Sequence, residues 1–276
     1  MTARPRVSIC IPVRNRASFI ADCLDSTRED DGHAIEVVVL DDGSTDGTDA
    51  VVRDWMARNP SRRVRFERQP PLGIPRSCNR LVEMAEGETI AWLGSDDLLL
   101  KGGLAARLAY LSSHPEKLAV FGDARVIDGA GRPLFESVYA GLRRVDTRLF
   151  RTDDTLRRTL LSRWCVPQPV LLVRREIYDR LGRYDESFET EDYDFYLRML
   201  AHGAIGYVDA FVSAYRLHAQ NTSLHPATRP AMMRQFFRAA RKNRAAFPPW
   251  EQALMLGFGA AVAIKGVALG WRRAHA

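Results

Sequence analysis

Short apolar runs alternate with amphipathic segments through the first half of the chain. Strands are predicted at 7–13, 37–40, 64–68 and 89–93. Helices are predicted at 18–27, at 76–85 and over the segment that carries Val51, Val52, Trp55 and Met56. The strand runs lack polar alternation, which is typical of strands buried on both faces of a parallel sheet. The βαβα order therefore predicts an α/β fold with a mainly parallel, doubly wound sheet.

The second half of the chain is less regular. Strands are predicted at 120–121 and 170–173, with a hairpin turn at 128–131 and a polar, mobile loop at 143–153. A helix is predicted at 191–201, and Gly203 stops it. Further helical segments follow Pro226. We therefore predict one domain at 1–225 and a C-terminal helical appendage at 226–276.

Composition and charge narrow the range of functions. The 276 residues are 46% hydrophobic and 27% charged, which is ordinary for a soluble globular protein. The formal net charge of +6 suits an anionic ligand such as a nucleotide diphosphate, or an anionic membrane surface. Because no Lys/Arg-rich block with interleaved aromatics occurs, we expect no nucleic acid partner. The four cysteines are scattered, and the apolar run 7–13 is too short for a signal-peptide core, so we expect a cytoplasmic protein.

Carboxylates follow two of the predicted strands. Asp41 and Asp42 end the run 37–40 and precede a Gly-Ser turn, with Asp46 or Thr48 as the cap of the next helix. Open α/β sheets bind ligands at this edge. The alternative is a solvated Asp-Gly turn. The chain has neither a Gly-x-Gly-x-x-Gly motif nor a P-loop, which argues against a dinucleotide oxidoreductase or an NTPase.

Five segments, in order, carry a family resemblance. They are VSICIPVRNR at 7–16, EVVVLDDGSTD at 36–46, GSDD at 94–97, YDESFETEDYD at 184–194, and YRLH at 215–218 with Ser223 beyond. This set resembles the family 2 glycosyltransferases, which are inverting enzymes with a GT-A fold, the Rossmann-like nucleotide-sugar-binding fold. The resemblance covers residues 6 to about 224.

The resemblance implies a role for each matched position. Asp41 and Asp42 would hold base and ribose. The set implied to bind the nucleotide-sugar is Pro12, Asn15, Asp41, Asp42, Asn79, Ser95 and Asp96. Many relatives carry Arg where this chain has Cys78, and we add the nearby Arg76 to the set as a residue that could serve the diphosphate instead. Asp192 would be the catalytic base, with Glu191 as an orienting or acceptor-binding neighbour.

A divalent metal, Mn²⁺ or Mg²⁺, is also implied. A departing diphosphate needs a hard cation held by oxygens. Asp96 is the best ligand candidate, with Asp97 beside it and His218 as a third ligand by resemblance. Mn²⁺ tolerates mixed carboxylate and imidazole ligands.

Simpler interpretations stay open. Asp96 and Asp97 could cap a helix at 98–110, His218 could be a surface histidine, and Glu191 with Asp192 could serve a helix N-terminus. Gly94 departs from the family, whose members commonly have Asp there, and this departure leaves metal affinity open.

The predicted function is the metal-dependent, inverting transfer of a sugar from a nucleotide-diphosphate sugar. UDP is the first choice of nucleotide. The acceptor is a glycan or a lipid-linked saccharide. The alternatives are a non-catalytic nucleotide-sugar-binding protein and a sugar-1-phosphate nucleotidyltransferase. The apolar segment 253–271 predicts either a buried helix or an interfacial helix on the anionic inner face of the cell membrane.

Overall fold

The computed structural model describes residues 6–30, 34–163, 165–189, 192–219, 221 and 229–257. Its strands are β1 (Val7–Val13), β2 (Ile35–Asp42), β3 (Val64–Gln69), β4 (Thr89–Trp92), β5 (Leu98–Leu99), β6 (Ala119–Asp128), β7 (Pro133–Phe135), β8 (Leu171–Arg174) and β9 (Ile205–Leu217). Its α-helices are α1 (Ile20–Ser26), α2 (Thr48–Arg58), α3 (Ile74–Met84), α4 (Gly103–Ser113), α5 (Asp153–Ser162), α6 (Ile177–Leu181), α7 (Asp192–Ala201), α8 (Arg229–Asn243) and α9 (249–257).

The strands form one sheet in the order β3-β2-β1-β4-β8-β6-β9-β5, and β7 pairs with β6. β1 to β4 are mutually parallel, and β6 and β9 are also parallel. β8 runs antiparallel between β4 and β6 and so joins the two parallel groups. The predicted α/β class with a mainly parallel sheet is confirmed.

Both faces of the sheet are buried, as the unbroken apolar runs predicted. Val37 and Val39 of β2 face a core formed with α1, α2 and α4. Val38 and Leu40 face the larger core, to which α3 and the helices from α5 onward contribute. Successive side chains of a strand point to opposite faces, so each four-residue run supplies two residues to each core.

Two of the predicted elements were wrong. The helix expected at 98–110 begins only at Gly103, because Leu98 and Leu99 pair with β9 as β5. The loop expected at 143–153 contains a 3₁₀-helix at Thr147–Phe150. Phe150 is 2% exposed and packs its ring 5.0 to 5.3 Å from three other aromatic rings, so an apolar anchor holds this polar segment.

The described part of the C-terminal appendage packs on α7. The rings of Phe236 and Tyr193 lie 4.7 Å apart, and Asn243 Nδ2 donates to Asp194 Oδ1 (2.8 Å). The division at residues 225 and 226 stays a prediction.

A buried carboxylate organises the amino-terminal edge of the sheet. Glu36 Oε1 accepts from Ser8 Oγ and from the backbone N–H of Glu86, each at 2.6 Å. Arg63 Nε and Arg65 Nε approach its other oxygen at 3.5 and 3.6 Å. The Glu36 side chain is fully buried. It is therefore a buried acceptor that links the start of β1, the start of β2 and the segment after α3.

Replacement of this carboxylate should destabilise the fold. Glu36→Ala leaves the Ser8 hydroxyl and the Glu86 N–H without their acceptor, and each lost buried partner costs about 1–3 kcal/mol. Urea denaturation should therefore give a free energy of unfolding lower by about 3 kcal/mol. The matched control is Glu88→Ala at an exposed side chain, which should stay within about 0.5 kcal/mol of the parent. Equal stability of the two variants would contradict this role of Glu36.

Candidate active site

The carboxyl ends of β1, β2 and β4 lie at one edge of the sheet, where the turns after them meet. Asn15 adopts a left-handed φ of 53°, and its backbone N–H donates to Ser44 Oγ (2.9 Å). Its side-chain Oδ1 accepts from the backbone N–H of Thr45 (2.9 Å). Asn15 therefore binds the turn after β1 to the turn after β2. Pro12 lies inside β1, one strand residue before that turn, and is buried.

Both aspartates at the end of β2 are buried and hold loops. Asp41 is 0% exposed, accepts from the backbone N–H of Ser44 (2.8 Å) and lies 3.5 Å from Arg68 Nε. Asp42 accepts from Gln69 Nε2 and from the backbone N–H of Leu72, both at 2.8 Å, and from that of Gly73 (3.0 Å). The pair is therefore not a solvated turn.

The hydrogen bonds to Asp42 also favour its ionised form. Burial alone would raise the pKa of this carboxyl, but the donors from Gln69, Leu72 and Gly73 lower it below its usual value. The ionised form therefore persists at neutral pH. Its negative charge lies beside the 69–73 loop.

Asp96 lies between two cationic or polar partners from distant parts of the chain. Its Oδ2 accepts from Arg16 Nε (3.1 Å) and lies 2.9 Å from His218 Nε2. The Asp96 and Arg16 side chains are each 15% exposed, and that of His218 is 8% exposed. The His218 ring also packs 4.5 Å from the ring of Phe19. The structure thus brings Asp96 and His218 together, and His218 is not a surface histidine.

Asp97 is 3% exposed, and its carboxylate holds the backbone near the end of β9. Its Oδ1 accepts from the backbone N–H of Arg216 (2.8 Å), while Arg216 Nε donates to the carbonyl of Asp96 (2.7 Å). Burial and the nearby Asp96 charge raise the pKa of Asp97 well above its usual range. A Cβ added at Gly94 would meet the Asp97 carboxylate, with Cγ at 3.2 Å. The Asp97 carboxylate therefore lies where a side chain at position 94 would begin. No helix follows directly for Asp96 or Asp97 to cap.

Two predicted residues on α3 contact the segment that leads to α7. Asn79 Nδ2 donates to the carbonyl of Tyr184 and to Glu186 Oε1, both at 3.0 Å, and Asn79 Oδ1 accepts from the backbone N–H of Tyr184 (3.0 Å). Arg76 Nε lies 3.2 Å from Glu186 Oε2, and both side chains are about half exposed. In this structure both residues position segment 184–186.

Asp192 is the first residue of α7 and is half-buried. Its Oδ1 accepts from the backbone N–H of Tyr193 (2.7 Å). This placement is also compatible with the simpler helix-terminus role. Glu191 lies outside the described residues. Ser95, in the turn after β4, is 7% exposed. The roles assigned to all these positions stay predictions.

Sequence reasoning did not include Arg16 and Arg216 among the site residues. Arg216 is 2% exposed, donates to Gly129 O (3.1 Å) and lies 5.2 Å above the ring of Phe19. The position of each arginine in the sequence could have indicated its place in the site. Arg16 follows the turn residue Asn15, and Arg216 lies two residues before His218, inside a matched segment.

The donor set at Asp96 fits a divalent cation only in part. Within the described ranges, no group of three or more His, Cys, Asp or Glu side chains could hold a metal ion. Asp96 and His218 supply one carboxylate and one imidazole, a set that suits Mn²⁺. Mg²⁺-type sites commonly use one or two carboxylates, with substrate phosphates and waters as the remaining ligands. The residues present therefore fit a cation that arrives with a diphosphate.

Comparison with known sequences shows the family. The model of the family described as "Glycosyl transferase family 2" matches residues 8–182, more than half of the chain. A Mycobacterium bovis protein named "PGL/p-HBAD biosynthesis glycosyltransferase" is 27% identical over 217 residues, which are 77% of this chain and 77% of the relative.

Solved structures show the same fold. The mannosyltransferase PcManGT of Pyrobaculum calidifontis, in complex with GDP-Man and Mn²⁺, aligns with a TM-score of 0.69 at 21% identity, over 98% of this chain and 76% of its own. Staphylococcus aureus TarS in complex with UDP aligns with a TM-score of 0.66 at 19% identity, over 92% and 70%. Both neighbours have the GT-A fold. With the family match over residues 8–182, the chain belongs to glycosyl transferase family 2 and is a glycosyltransferase.

Proposed function

We propose that this glycosyltransferase moves a sugar, with inversion, from a nucleotide-diphosphate sugar to a hydroxyl of a glycan or a lipid-linked saccharide. The observation that carries the proposal is the 2.9 Å contact between Asp96 and His218, residues 122 positions apart in sequence, at the carboxyl edge of the sheet. That edge is where open α/β sheets bind ligands. Family membership favours transfer over the nucleotidyltransferase and non-catalytic alternatives.

The nucleoside would lie beside the turns that Asp41 and Asp42 hold. The 69–73 loop is fixed on Asp42 and the 43–45 turn on Asp41 and Asn15, so the surface is ordered before a ligand arrives. A carboxylate complements the imide N–H of uracil, which makes UDP our first choice of nucleotide. The solved neighbours hold UDP in one case and GDP-Man in the other, so a guanine nucleotide is the comparison to test.

Asp96 and His218 would hold a divalent cation, Mn²⁺ or Mg²⁺. When bound, the cation supplies positive charge to the departing diphosphate. The solved PcManGT structure is a complex with GDP-Man and Mn²⁺, which supports this choice. Asp97 would act indirectly, because its carboxylate holds the backbone of Arg216, two residues before His218. Arg16, whose Nε lies 3.1 Å from Asp96 Oδ2, would offer its guanidinium to the phosphates of the donor.

Asp192 would take the proton from the acceptor hydroxyl, with Glu191 orienting it or the acceptor. Attack opposite the leaving group then inverts the anomeric carbon. The approach to this residue is held from two sides. Asn79 binds residue 184, and Arg238 of α8 donates to the carbonyl (2.7 Å) and the hydroxyl (2.8 Å) of Ser187.

We also propose that the protein works at the inner face of the cell membrane, where a lipid-linked acceptor would be available. Among the residues described, no helix has both the length and the apolar character needed to cross a bilayer. We propose a peripheral association, which rests on charge and on the C-terminal segment.

The base assignment can be tested by one substitution. Asp192→Asn keeps the shape of the side chain but cannot accept a proton, so donor binding should persist. Transfer should fall by roughly 10²–10⁴-fold, the usual contribution of a general base. Steady-state kinetics and donor binding by calorimetry measure the two effects, with Asp54→Asn at an exposed position of α2 as the matched control. Near-full transfer by Asp192→Asn would make Glu191 the next candidate.

The two carboxylate regions should separate in binding experiments. Asp41→Ala releases the 43–45 turn, so it should weaken nucleotide binding even without metal. Asp96→Ala should chiefly remove the enhancement of binding by Mn²⁺. Isothermal calorimetry with UDP, with and without Mn²⁺, distinguishes them. Identical behaviour of both variants without metal would refute this division of roles.

The nucleotide can be identified by a thermal-shift screen with Mn²⁺. A ligand present at 100 times its Kd adds about 2.7 kcal/mol of stability, so the correct nucleotide sugar should raise Tm clearly. We expect UDP-sugars to give the largest shift. A larger shift with GDP-sugars would overturn the choice of UDP while leaving the site itself supported.

A further inference from the structure

The C-terminal helices enclose a cavity that the proposed reaction does not use. It lies between α8 and α9 and has a volume of about 400 Å³. Phe237, Met255 and Leu256 form apolar parts of its wall, and Arg241 and Arg244 add two guanidinium groups. Phe237 and Arg241 are spaced at i and i+4 on α8, which places them on one helix face, and Arg244 begins the 3₁₀-helix Arg244–Ala246 that follows directly.

The two arginines carry charge that the described chain does not neutralise. Both are exposed, and no carboxylate within the described ranges forms an ion pair with either one. The acidic residue of α9 is engaged elsewhere, since Glu251 accepts from Arg157 Nε and Nη2, each at 2.7 Å. By contrast, the neighbouring Lys242 is neutralised by Asp185 and Asp194, both at 2.9 Å.

The sequence after α9 adds further positive charge. Residues 258–276 contain Lys265, Arg272 and Arg273 and no Asp or Glu, and they are otherwise mostly apolar. Two exposed guanidinium groups beside apolar side chains therefore suit a ligand that carries a negative group next to an apolar one.

An exposed apolar side chain extends this surface, since Leu256 of the cavity wall is 51% exposed. Trp250 does not line the cavity, and the Arg158 guanidinium lies 4.9 Å over its ring. Basic and apolar groups side by side are the pattern of surfaces that lie in the headgroup region of an anionic bilayer.

We propose that the α8–α9 cavity is a docking site for anionic phospholipid, with the lipid phosphate on Arg241 and Arg244 and the first part of the apolar chain against Phe237, Met255 and Leu256. The inference rests on the peripheral membrane association proposed above and gives it a specific site. It also connects that site with the reaction. Helix α8, which carries Arg241 and ends one residue before Arg244, holds residues 185 and 187 through Lys242 and Arg238, on the approach to Asp192.

The test uses the full chain and vesicles of defined composition. Wild-type protein should sediment with vesicles of phosphatidylcholine and phosphatidylglycerol, and much less with phosphatidylcholine alone. The double variant Arg241→Gln, Arg244→Gln should bind the anionic vesicles about 30-fold more weakly, the loss expected for two basic residues at an anionic leaflet. A control with the same change of net charge, Arg58→Gln with Arg180→Gln on exposed positions of α2 and α6, should bind like wild type.

Three results would overturn the docking site. They are equal binding to neutral vesicles, wild-type binding by the Arg241 and Arg244 variant, and displacement from vesicles by millimolar glycerol phosphate, which would indicate a site for free phosphate. Thermal shift with nucleotide sugar is measured on every variant. If vesicle binding fails while the nucleotide-induced shift remains, the docking site is wrong and the donor-site proposal stands. Loss of the shift in wild-type protein would instead refute the donor site.

Discussion

The arrangement of the site depends on the buried contact between Asp97 and Arg216. One carboxylate oxygen receives the backbone N–H of Arg216, and the Arg216 side chain in turn donates to the Asp96 carbonyl. These two bonds join the turn after β4 to the end of β9 across about 120 residues of sequence. Arg216 also reaches Gly129 and the ring of Phe19. Because His218 follows two residues later, its distance from Asp96 is set by this junction.

Acidic residues in this enzyme divide into those that hold loops and those that remain available at an edge. Asp41 and Asp42 are engaged by backbone and side-chain donors, so they shape the surface at this edge of the sheet as well as giving it charge. Asp96 has one oxygen shared by Arg16 and His218. A ligand that binds at Asp96 replaces one set of charged partners with another. Because the carboxylate is already mostly shielded from water, binding costs it little further desolvation energy.

The sequence predicted the parallel half of the fold well, because strands buried on both faces leave unbroken apolar runs such as 37–40. It failed at 98–110, where Leu98 and Leu99 look helical locally but gain a strand partner in β9. The family resemblance predicted that Asp96 and His218 belong to one site, whereas no local sequence pattern indicated it. Arg16 was missed because its ion pair spans 80 positions and leaves no periodic trace. Long-range polar contacts of this kind arise from tertiary packing, which local propensity does not encode.

The lack of a side chain at Gly94 sets where the Asp97 carboxylate can lie. That carboxylate occupies the volume in which a side chain at position 94 would begin, and Asp96 Oδ1 would lie 3.2 Å from the added Cβ. A larger residue at 94 must therefore displace the end of the Asp97 side chain, which also accepts the backbone N–H of Arg216. Positions 94 and 97 are in direct contact and are thus energetically coupled, so that a substitution at 94 is transmitted through Asp97 to the end of β9.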